Sequence, residues 1–490
     1  MEKIKRTLAS EAAPTLLILA VIVLNLIFSA LSGALGLVVY AEEPLDLSIS
    51  DVGDTLFAEA IEDGRRVTVT FCMYEDALEA HSTGRFVHTT AKSFAEKYPD
   101  LIEIKYVNAL TQLDSEGRFF DFEKYKTDMR GEENKIYTTS VIFECEGNHR
   151  VVTDRISSAG FADFFTLDET LTATSYNGEE TFASMVSWVL SGEHGTAYFT
   201  TGHGETATLN LYNVLTCAGY YVEEINLKRA EIPEDADLIL ISNPRLDFER
   251  AAETSDVRTE LKRLKTYAER GGNFFVALDP YTKDLPVLLG FLSEFGIGLF
   301  DTEDGKRQII KDSSDAITTD GFTLVTSVAD GELGDKVLEN TDGGRIIIKD
   351  ASPLSLSGAA KPLLLSSPSA VCQSGGANTD TVGSYTIAAT SSLTGESGTA
   401  NMFVISSVYL AASDAIITAG YSNKDFLYSL FDELYGMGEM PYGCNSVVYD
   451  NQILENLTMG TARIYTAMLT VVPLILAAVG VVVVVRRKAR

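Results

Sequence analysis

Residues able to carry chemistry are few, and the densest group lies in "YFTTGHGE", residues 198–205, where an apolar run meets Gly202, His203, Gly204 and Glu205. A histidine two positions before a carboxylate at a glycine turn offers a general base, a metal ligand or a recognition group. Two further turns close apolar runs in the same region, at Asn243-Pro244 and Asp279-Pro280. Ligands of open α/β sheets bind outside the carboxyl ends of strands. Gly202, His203, Gly204, Glu205, Asn243 and Asp279 are therefore the candidate ligand-binding residues.

Spacing limits what these residues can do. A phosphate loop fails: there is no Gly-Lys-Ser/Thr ending, Thr206-Ala207 break the G-x-G-x-x-G pattern, and Glu205 puts a carboxylate where a phosphate needs room. Nucleotide binding by this part of the chain is not expected. A metal site on His203 and Glu205 needs a third ligand. The other histidines, His81, His88, His149 and His194, make no i,i+4 zinc pair, although Asn243 and Asp279 could converge from neighbouring strands. No G-x-S-x-G elbow supplies a nucleophile. No catalytic residue, metal or cofactor is assigned. In the plainest reading the glycines permit a tight strand-to-helix turn, Glu205 favours the positive helix N-terminus, and His203 hydrogen-bonds across neighbouring loops. The alternative is a metal-dependent or hydrolytic enzyme centred on His203 and Glu205.

The five cysteines, Cys72, Cys145, Cys217, Cys372 and Cys444, are scattered without a C-x-x-C and with an odd total, so they form no disulfide framework. Cys72, Cys145 and Cys217 sit in or beside apolar runs and read as buried structural thiols.

The elements that must hold the turn follow from periodicity. "RRVTVTFCMY", a helical stretch and "DLIEIKYVNA" read as strand, helix, strand, and "KIYTTSVIFECEGNHRVVTD" as a hairpin turning at Glu146-Gly147-Asn148. That is the order of a thioredoxin-like domain over residues 41–178, but Glu75 replaces the second cysteine of a dithiol after Cys72, so redox chemistry is not expected. "EETFASMVSWVLSG" reads as an amphipathic linker helix within residues 179–195. Beyond it, "TAYFTT", "YVEEINL", "ADLILISNP" and "NFFVALDP" alternate with the helices "ETATLNLYNVLTCAGY" and "DVRTELKRLKTYAERGG". This predicts a doubly wound α/β domain over residues 196–440, with a glycine- and serine-rich, strand-rich excursion at 301–400. The charges of the second helix read as a solvated face.

Two uncharged apolar segments, residues 14–40 and 464–485, are each long enough to cross a membrane of roughly 30 Å hydrocarbon thickness. Lys3, Lys5 and Arg6 precede the first, and Arg486, Arg487, Lys488 and Arg490 follow the second. The positive-inside bias places both termini in the cytoplasm and the main domain outside the cytoplasmic membrane. Residues 441–463 then form a juxtamembrane segment. A cleaved signal peptide is the competing reading of the N-terminus, but its apolar core would be much longer than usual. The seven basic and two acidic residues of the tails, taken from totals of 39 and 69, leave −35 on the middle. Such a surface repels nucleic acid and anionic lipid.

The order of parts, with "YFTTGHGE", "ADLILISNPRLDF", "LKTYAERGGNFFVALDP", "LPVLLGFLSEFGIGL" and a C-terminal apolar segment ending "VVVRRKAR", resembles the GldG-like family over nearly the whole chain from about residue 14. The resemblance implies an auxiliary extracytoplasmic component of an uncharacterised bacterial ABC transport system related to gliding motility. It implies an ABC-2 type permease and a cytoplasmic ATPase as partners, and a glutamine-amidotransferase-like α/β core lacking the catalytic cysteine. One departure is Ser406-Ser407, which stand where such proteins often carry Gly-Asp. A stand-alone sensor is disfavoured because the tails are too short for an output domain.

Overall fold

The computed structural model describes residues 46–153, 160–192, 194–206, 208–249, 259–282, 284–300, 307–312, 316–341, 343–374, 377–395, 397–417, 420–438 and 440–448. The two apolar segments at 14–40 and 464–485 lie outside this set, and among the described residues no helix is long and apolar enough to cross a membrane.

The first sheet, with its helix, is built from β1 (Val67–Phe71), α1 (Gly84–Lys97), β2 (Ile102–Asn108), β3 (Leu113–Asp114), β4 (Val141–Cys145) and β5 (Asn148–Val152). They form a five-stranded sheet of order β3-β2-β1-β4-β5. β1 runs parallel to β2, because α1 carries the chain back across the sheet, and antiparallel to β4. Val67, Val69 and Phe71 are fully buried and Thr70 nearly so, as a central strand covered on both faces requires. The β4–β5 hairpin turns on Glu146 (φ 51°) and Gly147 (φ 98°), the two positive φ values of a type I′ turn.

A short hairpin, β6 (Phe165–Leu167) and β7 (Ala173–Tyr176), leads into α2 (Gly178–Ser191), which ends on left-handed Gly192. The expected linker helix is a buried interlayer. Twelve of its residues are buried, because one side packs on α1 and the first sheet through Phe182, stacked 4.6 Å from Phe94 of α1 and edge-on 5.2 Å from Phe143 of β4. The other side carries Glu180, which pairs at 2.9 Å with Lys424 and accepts a hydrogen bond from Tyr428.

β8 (Gly195–Thr200), α3 (Leu209–Cys217), β9 (Tyr220–Ile225), β10 (Leu238–Ser242), α4 (Glu260–Glu269), β11 (Asn273–Ala277) and α5 (Pro286–Glu294) follow. Next come β12 (Ile297–Leu299), β13 (Ile309–Lys311), β14 (Thr323–Val328), α6 (Glu332–Asn340), β15 (Ile346–Lys349), β16 (Leu354–Leu356), β17 (Lys361–Leu365), β18 (Val371–Ser374) and β19 (Ala377–Val382). β20 (Thr386–Thr394), β21 (Thr399–Ile405), α7 (Asn423–Glu433) and β22 (Val447–Val448) come last, and short helical turns such as Val52–Leu56, Ala58–Glu62, Glu75–Ala80 and Ser413–Ile417 lie between the numbered elements. The large sheet has nine strands in the order β15-β14-β17-β20-β21-β11-β10-β8-β9.

β9, β8, β10, β11 and β21 are parallel, whereas β20, β17, β14 and β15 add antiparallel strands. The fold is mixed α/β. The strand-rich region expected as an excursion at 301–400 supplies β14, β15, β17 and β20 to the same sheet. Its strands bury small residues, Ala388 and Ala389 among them, so they carry little hydropathy signal. Side chains alternate across the parallel core: Leu240, Phe275 and Phe403 pack on one face, and Ile239, Ile241, Phe274 and Val276 on the other.

Candidate functional site

The histidine turn leaves the carboxyl end of β8. Gly202 has φ 109° and Gly204 φ 71°, and a Cβ on Gly202 would come within 2.8 Å of the Asn226 side chain, so glycine is demanded there by both backbone and space. Between them His203 is fully buried. Its amide donates to Glu205 Oε2 at 2.6 Å, its Nδ1 lies 2.9 Å from Glu205 Oε1, and its Nε2 lies 3.0 Å from Glu260 Oε2. The ring stacks on Phe248 with centroids 4.1 Å apart. Its carbonyl accepts from the amides of Arg245 and Leu246 at 2.8 and 2.9 Å.

Each imidazole nitrogen faces a carboxylate oxygen, an arrangement that favours the ring with both nitrogens protonated and donating. Burial alone would lower the His203 pKa, but its hydrogen bonds to Glu205 and Glu260 override that and hold the group above its ordinary value. Burial likewise pushes the Glu205 carboxyl up, and its bonds to His203 bring it below the ordinary value. A general base or a metal ligand needs an accessible nitrogen lone pair, and both nitrogens here are engaged by carboxylates in a buried ring.

Two expectations are corrected. Glu205 does not sit at the helix N-terminus: α3 starts at Leu209, and Thr208 caps it by accepting from the Leu211 amide at 3.3 Å. Glu205 turns back onto His203 because a buried cation offers a stronger partner than a helix end four residues away. Nor are the charges of α4 all solvated. Glu260 is fully buried, and its Oε2 also accepts from the Glu249 amide at 2.8 Å. The helical period would have shown it, since Glu260, Leu264, Tyr267 and Ala268 share the inward face.

Asn243 and Asp279 lie on the same edge but open no common site with His203. Asn243 adopts left-handed φ 53°, takes Ala277 O through its amide at 2.8 Å, and donates from Nδ2 to Thr206 Oγ1 at 2.8 Å. Thr206 and Ser242 are tied twice, amide to carbonyl at 3.1 Å and hydroxyl to carbonyl at 3.0 Å. Asp279 Oδ1 accepts from the Tyr281 amide at 2.9 Å, and its Oδ2 lies 3.6 Å from Arg245. A crevice of about 10 Å³ beside Asp279 and Arg307 has room for one water. The serines in place of Gly-Asp are also spent on the fold: Ser406 donates to Ile387 O at 3.1 Å and Ser407 to Lys349 O at 2.5 Å.

Sequence reasoning missed a larger feature, a cavity of about 400 Å³ between the first sheet and β9 that includes Arg150, Asn213 and Tyr221 among its walls. The cysteines are free, and burial pushes the Cys72 and Cys217 thiols up to about 12 and Cys372 to about 11.

No protein-family model matches the chain, and no curated protein matches it in sequence. Solved structures match about half of it at low identity. The N-terminal domain of mmIFT52 is 16% identical with TM-score 0.36, covering 49% of this chain and 97% of that one. PurLQS from Thermotoga maritima is 15% identical with TM-score 0.31, covering 49% and 100%. A glutamine amidotransferase from Thermotoga maritima is 9% identical with TM-score 0.29, covering 50% and 99%. The chain is similar to these in mixed α/β architecture, and the likeness extends to neither activity nor partners.

Proposed function

We propose that this chain is a non-enzymatic accessory subunit of an ABC-2 type transporter, of the kind the GldG-like resemblance implies. Two membrane spans hold an acidic extracytoplasmic body with a thioredoxin-like and a glutamine-amidotransferase-like part. That body binds a substrate, a wall component or a partner protein, while a permease and a cytoplasmic ATPase supply transport and nucleotide hydrolysis. The observation that carries the reading is the arrangement of the chain, an α/β body enclosed between two uncharged apolar segments with basic outer flanks. The closed histidine turn agrees with it: a ring clamped by two carboxylates at 2.9 and 3.0 Å serves packing better than proton transfer. The same geometry weighs against a hydrolytic or metal centre at His203 and Glu205.

Affinity purification of the full-length chain from native membranes in mild detergent tests the reading. Co-purification of a polytopic permease and an ATPase is expected. A chain recovered alone under conditions that keep a control transporter assembled contradicts it.

A further inference from the structure

The cavity of about 400 Å³ lies where β5, the loop at 128–137, α2, α3 and β9 meet, and its volume is in the range that small molecules fill. Arg150 on β5 lines it and is only 8% exposed. It forms no ion pair with a described residue. Its guanidinium instead lies 4.7 Å from the Tyr221 ring centre and 5.2 Å from that of Trp188. Aromatic faces attract a cation, but they offer no acceptor to five N–H donors. The Tyr221 hydroxyl stands beside this guanidinium. It is buried and makes no hydrogen bond of sound geometry with a described residue.

The neighbouring charges are already matched. Arg130, 3.9 Å from the centre of the same Tyr221 ring, holds Asp128 at 2.9 Å and Glu223 at 2.7 Å. A buried cation with no ion pair among the described residues and a buried hydroxyl beside it, both facing one cavity, are what an anionic group would satisfy. We propose that this cavity binds a small polar molecule through a single carboxylate, gripped by the Arg150 fork and the Tyr221 hydroxyl, with Asn213 and Thr216 bonding the polar remainder.

Charge decides between anions. Glu132 and Glu133, both exposed, and Asp128, Asp163 and Glu223 line the cavity against three cations, Arg130, Lys135 and Arg150, so the lining holds more carboxylates than cations and repels a doubly charged phosphate more than a monoanion. A planar monoanion matches the guanidinium fork without that excess.

Trp188 is the chain's single tryptophan, and it lies against Arg150, so its fluorescence reports on the cavity. The full-length chain is titrated with N-acetyl-L-alanine, with the corresponding amide that lacks the carboxylate, and with inorganic phosphate at constant ionic strength. The acid is expected to give a saturable change, the amide none, and phosphate a weaker response. Tyr221→Phe should weaken binding several-fold and Arg150→Lys at least about tenfold, since a lysine cannot reproduce the fork. If Arg150→Lys fails to fold, Tyr221→Phe decides. No saturable response to the acid, equal binding of acid and amide, tighter binding of phosphate, or undiminished affinity in a folded variant overturns the assignment. The inference is independent of the transport reading, and a chain that purifies without partners would leave it standing.

Discussion

At the residue scale the account rests on His203 being a buried cation between two acids. His203→Ala strips both carboxylates of their partner and should cost about 3 kcal/mol of unfolding free energy, the order expected when one side of a buried ion pair is removed. Neutralising the acids in the same background, with Glu205→Gln and Glu260→Gln, should recover part of that loss. Urea unfolding of the variants measures both, and a catalytic role alone would leave these midpoints unmoved. The pH dependence has a definite sign. The raised folded pKa of His203 gives stability that is complete below its ordinary value of 6.5 and fades as pH climbs through the folded value. The lowered pKa of Glu205 gives stability present above 4.5 that fades as pH falls through its folded value. The difference in midpoint between wild type and His203→Gln should therefore be greatest between those two values and shrink on the alkaline side. The cysteines make a separate prediction: with Cys72 fully buried and held up at about 12, a thiol reagent at neutral pH should label it only on the timescale of unfolding. The bond across neighbouring loops was legible in "TGHGE", because a histidine flanked by glycines at a strand end has few places to go. Its partner Glu260 was obscured by the surrounding lysines and arginines, although the 3.6-residue period placed it inward.

At the element scale α2 is the joint of the molecule. Its Glu180 meets Lys424 at 2.9 Å and the Tyr428 hydroxyl, both on α7 near the C-terminal end of the described chain. Lys424→Met alone should destabilise by about 3–5 kcal/mol, because it leaves Glu180 buried without its cation. The double variant Glu180→Gln with Lys424→Met should be closer to wild type than the sum of the singles, and thermal unfolding of the four proteins closes the cycle. Additive effects would show that the pair does not couple the helices. Strands covered on both faces, such as "LILIS" in β10 and "VTVTF" in β1, were legible as apolar runs. α2 was misread as a linker because its glutamates look like a polar face. Their burial depends on Ser50, Lys424 and Asn445, residues far away in sequence that no local pattern announces.

At the scale of the whole molecule, the proposed function turns on the two apolar segments at 14–40 and 464–485. Their composition was legible at once, whereas the cavity at Arg150 and Tyr221 was not, since its walls come from strands of two different sheets that only the folded chain brings together. The central claim is that this body lies outside the cytoplasmic membrane with both termini inside. Protease added to intact spheroplasts carrying the full-length chain, tagged at each end, tests it most directly. The account predicts that the body is cut while both terminal tags stay protected, and that inverted vesicles show the reverse. A body protected in spheroplasts and cut in inverted vesicles would contradict it.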